Sequence, residues 1–78
     1  MKSEAVTIDP EILGGTPVFA GTRVPIESLF DHLESGVTLG EFLDDFPSVT
    51  GEQAVQVLEM AEETVTSGKL AQIYAVIA

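Results

Sequence analysis

Apolar and polar positions alternate at the start of this chain and then switch to a helical repeat, and the switch divides it into two parts. Val6-Thr7-Ile8 alternates with β-branched residues and stops at Asp9-Pro10, the pattern of a short strand ended by a turn. Pro17-Val18-Phe19, after a double glycine, predicts a second strand paired to it, placed at an edge because Pro17 has no amide to donate. A lone two-stranded hairpin is marginal in water, so it must lie on helices or on a second subunit. From Pro25 the period is helical. Ile26, Leu29, Phe30 and Leu33 form one apolar stripe, and Gly36 supplies the stop. Thr38 and Glu41 make a capping box for a second helix with the stripe Leu39, Phe42, Leu43 and Phe46, ended by Pro47, and Val37 is placed as a staple on Phe42. Thr50 and Gln53 repeat the box for a third helix. Its inner stripe reads Ala54, Leu58, Ala61 and Val65, flanked by Val55 and Val57, with Val49 against Ala54 as a weaker staple and Gly68 as terminator.

These signals predict a mainly α domain over residues 1–66, with a hairpin at 5–24 and helices at about 25–35, 38–46 and 50–66. Residues 67–78 form an apolar C-terminal tail. Leu70, Ile73, Tyr74 and Ile77 match a helical stripe, while Ile73 to Ile77 also fit a strand; good helix formers at Ala71, Gln72 and Ala75 favour a short helix. Such a tail covers its own core or a partner's groove.

The joint between hairpin and helices is Gly14 to Pro25, GGTPVFAGTRVP, which holds three glycines, two prolines and Arg23. Gly14, Gly15 and Gly21 permit positive φ, and Pro17 and Pro25 fix φ, so short extended pieces alternate with tight reversals. The run is no phosphate loop: it lacks the lysine that should follow the second glycine, and Gly15 to Gly21 is one residue too long. Arg23 is expected to clamp the joint by bridging to a carboxylate such as Asp9 or to a carbonyl at a helix end; the alternative is an exposed contact to a phosphate or a partner's acid.

Composition narrows the function. A 78-residue chain buries only about 60% of its unfolded surface, and with no cysteine and one histidine it has neither disulfide nor zinc to reinforce it. Self-association as a homodimer or higher oligomer, or a partner protein, is the expected support. The N-terminus carries no secretory pattern and the apolar run Leu70 to Ala78 is far shorter than the roughly 20 residues that span a bilayer, which predicts a cytoplasmic protein with no membrane role. Thirteen acidic residues against three basic ones give a formal charge of -10, and no Lys or Arg occurs between Arg23 and Lys69. That balance repels nucleic acid and favours a basic partner.

The run from Val6 to Ile26 closely resembles the opening of the family known as domain of unknown function 433, grouped with VapB-like antitoxins. The likeness continues through Ser35-Gly36, Phe46-Pro47 and the Thr50-Gly51-Glu52-Gln53 start of the last helix, covering roughly Val6 to Val65. It implies a β-hairpin followed by a homeodomain-like, helix-turn-helix unit, and a role as antitoxin to a PIN-like ribonuclease toxin. A resemblance does not by itself establish activity, which depends on the residues the chain presents.

In a three-helix DNA reader the last helix would offer Glu52, Gln53, Gln56, Glu59, Met60 and Glu63 to the bases. None of these is basic, and phosphate contacts from Lys and Arg supply most of a binder's affinity, so DNA binding by the isolated chain is disfavoured. Glu27 with Asp31, and Glu59 with Glu63, are one helical turn apart and form like-charged ridges. They are candidate contacts to a basic ribonuclease cleft, together with Leu70, Ile73, Tyr74 and Ile77; a solvated acidic face that only aids solubility is the alternative. His32 is expected as a surface imidazole on the polar side of the first helix. Asp44-Asp45 and Glu62-Glu63 are adjacent on helices and diverge, so no catalytic group, metal or cofactor is expected.

Overall fold

The computed structural model describes residues 4–68 and contains an N-terminal hairpin followed by three helices. Strand β1, Val6–Thr7, pairs antiparallel with β2, Val18–Phe19, with Val6 opposite Phe19 and Thr7 opposite Val18. The loop between them is held locally. Asp9 accepts from the Glu11 amide through its carboxylate and from the Ile12 amide through its carbonyl, both at 2.9 Å. A left-handed turn at Leu13–Gly15 follows, with φ of 49°, 66° and 93° in succession, and Leu13 is the one described non-glycine residue in that region.

β2 is one of two strands and so an edge strand, as expected, but its outer side is not bare. Its second side is occupied by Val24 and Pro25: the Phe19 amide donates to the Val24 carbonyl at 2.9 Å and Val18 bridges Pro25. Pro17 lies just outside the strand and uses its carbonyl, accepting from the Ile26 amide at 3.0 Å. The reversal between the two segments is a turn in which the Thr22 amide donates to the Phe19 carbonyl and Gly21 takes φ 77°. The same bridge explains why the first helix starts one residue later than expected. Pro25 is held extended as the cap, with ψ 140°, and helix α1 runs Ile26–Glu34.

Helix α2, Leu39–Asp45, and helix α3, Gly51–Thr66, both open on the expected capping boxes. Thr38 Oγ1 accepts from the Glu41 amide at 3.1 Å while the Glu41 carboxylate accepts from the Thr38 amide at 3.2 Å, and Thr50 with Gln53 repeats the exchange at 3.1 Å each way. The expected staple pair Val49 and Ala54 both sit in the core. Gly36, at φ 86°, ends α1 as expected.

The core lies where the hairpin meets the helices. Phe19, Leu29 and Phe42 lose all solvent exposure, joined by Ala5, Val6, Val49, Ala54 and Val57. Each large side chain buried in this way contributes about 1.5–3 kcal/mol. On α3 the inner stripe is displaced from the expected one: Val57 is buried beside Ala54, Leu58 and Ala61 are half-buried, and Val65 is 62% exposed. The expected stripe extends one turn too far: among the described residues the layer that buries the helix stops short of its C-terminal end. The tail, with its alternatives of helix and strand, lies outside the described residues.

Candidate functional site

Helix α1 carries the first of the expected acidic ridges. Glu27 and Asp31 are exposed, one turn apart, and Glu34 extends the row by another turn. Glu34 was not singled out from the sequence, although its spacing from Asp31 repeats the helical interval. The three carboxylates stand along a hollow whose other walls are Thr16, Pro17, Ile26 and Phe30. Ile26 and Phe30 rest on the core and are only half-buried, so their outer surfaces form an apolar floor. The Ile26 bond to the Pro17 carbonyl sets the start of α1 against the end of the β1–β2 loop and so shapes this hollow.

The second ridge lies on α3, where Glu59 and Glu63 are exposed and border a hollow with Glu4, Ala5, Gln56 and Met60. Glu52, Val55 and Glu59 line the adjoining surface of the same helix. The two acidic ridges are not brought together: their hollows share none of the described residues. Leu70, Ile73, Tyr74 and Ile77 lie outside the described residues.

Gln53 departs from the outward position expected of a base-reading side chain. While Oε1 completes the capping box, Nε2 donates to the Ala20 carbonyl at 2.9 Å, spanning 33 residues of sequence. This bond, and not one from Arg23, ties the turn after β2 to α3. Arg23 is exposed, and among the described residues no hydrogen bond or ion pair engages its guanidinium, so the expected clamp to Asp9 or a carbonyl is corrected. The cause is local. Thr22 occupies the inside of the turn, donating from Oγ1 to the Phe19 carbonyl at 2.8 Å and accepting from the Val24 amide at 3.0 Å, which leaves the next side chain pointing outward. Gly14, Gly15 and Gly21 all take positive φ, as the turn reading requires, and an added Cβ at Gly14 or Gly21 would meet nothing within 4 Å, so conformation and not crowding demands glycine there.

His32 is also corrected. It is half-buried, and Nδ1 donates to the Ser28 carbonyl at 2.6 Å, which fixes the proton on that nitrogen because a carbonyl only accepts. Its ring meets Phe42 and Phe46 edge-on at 5.3 and 5.4 Å, and those two rings lie 4.9 Å apart. Position 32 is three residues beyond the buried Leu29 and so borders the stripe, where α2 covers it. Among the described residues no three His, Asp or Glu side chains converge on a metal-binding point, and no helix is long and apolar enough to cross a membrane.

Residues 6–61 match the family described as protein of unknown function (DUF433). A curated relative, the uncharacterized protein y4eO of Sinorhizobium fredii (strain NBRC 101917 / NGR234), is 42% identical over 50 residues, which cover 64% of this chain and 23% of that protein. The chain therefore spans less than a quarter of that relative's length. The crystal structure of a DUF433 member from Anabaena variabilis ATCC 29413 superposes with a TM-score of 0.68 at 22% identity, covering 92% of this chain and 69% of that one. At that identity the likeness shows the fold.

Proposed function

The chain belongs to the DUF433 family, and from that premise we propose that it is an antitoxin-like protein that binds and neutralises a PIN-like ribonuclease toxin in the cytoplasm. One observation carries this reading. The outward face of α3, where a DNA reader would present basic and amide side chains, instead presents Glu52, Glu59 and Glu63, with Val55 and Met60 exposed between them. Such a surface repels phosphate and complements the positive cleft that a ribonuclease needs to hold RNA. The family resemblance supplies the kind of partner; the charge supplies the reason to bind it.

The test is co-expression with the adjacent reading frame, followed by affinity capture and a growth assay. Co-purification and relief of toxicity are expected, and absence of both overturns the reading. Replacing Glu59 and Glu63 together by Gln should slow association several-fold and change dissociation little, as rim charges do, in a kinetic binding assay at low salt. A sequence-selective gel shift by the isolated chain would favour a DNA-binding regulator instead.

A further inference from the structure

We propose that the hollow on α1 is a docking groove for an amphipathic helix of a partner protein, antiparallel to α1, with basic side chains at i, i+3 and i+7 beside an apolar anchor. The inference rests on the reading of the protein as a binder of a basic partner, and it identifies where and by what pattern that partner is held. The floor calls for an apolar side chain: Ile26 and Phe30, one turn apart and half-buried against the core, leave their outer surfaces beside Pro17. The rim calls for cations, since Glu27, Asp31 and Glu34 border the same hollow and none of the described residues that line it is basic.

The spacing selects a helix. Along α1 the three carboxylates follow at intervals of four and three residues, a rise of roughly 10 Å in all. A helix lying antiparallel alongside meets them in reverse order with side chains at i, i+3 and i+7, and its macrodipole then opposes that of α1. A strand, rising about 3.3 Å per residue with alternate side chains on opposite faces, matches that spacing poorly. A second copy of this chain is a poor occupant. Its α1 would set carboxylate on carboxylate, and its three basic residues, Lys2, Arg23 and Lys69, are too far apart in sequence to share one helical stripe.

A synthetic helical peptide of about 15 residues, roughly four turns, with lysines at i, i+3 and i+7 and leucines along one edge, provides the probe. Titrated into the isotopically labelled full chain at low salt, it should shift the amides of Thr16, Ile26, Glu27, Phe30, Asp31 and Glu34 in a saturable way. A peptide of the same composition with its lysines on the opposite face should not. The variant carrying Glu27→Gln, Asp31→Asn and Glu34→Gln, whose changes lie at exposed positions, should bind about tenfold more weakly while keeping the wild-type circular dichroism spectrum. No shifts, shifts centred on Gln56 and Met60, or equal binding of both peptides would overturn the groove. If a toxin is captured equally by wild type and by the triple variant, the groove fails and the proposed function stands. Peptide binding at α1 in a chain that captures no toxin leaves the groove and removes that function.

Discussion

At the scale of single residues, Gln53 has three roles: its amide, Oε1 and Nε2 each make a separate hydrogen bond. Glutamate is the other residue that suits the third position of a capping box, and it would keep the Thr50 exchange. It would also turn a donor into a second acceptor facing the Ala20 carbonyl. Gln53→Glu should therefore destabilise the fold by about 1–2 kcal/mol, from one lost part-buried bond and two opposed oxygens, measured by urea denaturation. Gln53→Ala should cost somewhat more, because the cap bond is lost as well. Half of this role was legible in sequence: the Thr50 pairing is local, whereas the bond to Ala20 exists only once the chain between them has folded back. The same distinction explains His32 and Arg23. The neighbours that bury His32 come from α2, and Arg23 is displaced from the inner side of its turn by a hydroxyl whose competing role the sequence does not advertise.

Among the elements, α2 and α3 share a starting device but differ in what it must accomplish. Helix α2 has only seven residues and one fully buried side chain, Phe42, so its cap is a larger share of what keeps it helical than in the sixteen-residue α3, which buries Ala54 and Val57. Thr38→Ala and Thr50→Ala should each cost about 1 kcal/mol by chemical denaturation, with the larger loss of helical signal in the first. Helix starts were readable because capping is set within four residues. The pairing of the two strands was readable too, but not what lies on the outer side of β2: Pro17 stands one residue outside the strand, leaving Val18 and Phe19 free to meet Pro25 and Val24. The extra turn assigned to the inner face of α3 failed because periodicity continues through Val65 while the layer that covers the helix, among the described residues, does not. The acidic ridges themselves were legible; the apolar floor between the α1 carboxylates was not, because Pro17 reaches it from a different element.

For the whole molecule, the formal charge of -10 sets two salt responses of opposite sign. Repulsion along Glu27, Asp31 and Glu34 and between Glu59 and Glu63 opposes folding, and added salt screens it within a Debye length of about 10 Å at 0.1 M. The midpoint of thermal unfolding should rise by roughly 4 °C from low to moderate ionic strength, recorded by circular dichroism. Affinity for a basic partner should fall over the same interval. A partner whose affinity ignored salt would be held by apolar contact alone. The bond from Gln53 to Ala20 has a further consequence for how this small molecule opens. It joins the first turn of α3 to the reversal between β2 and Pro25, so neither can fray without breaking a contact of the other. The amides of Thr22 and Gln53 should then exchange with solvent as one cooperative unit. The start of α3 would carry the protection of a core segment, and detaching the hairpin would unlatch the last helix from its beginning.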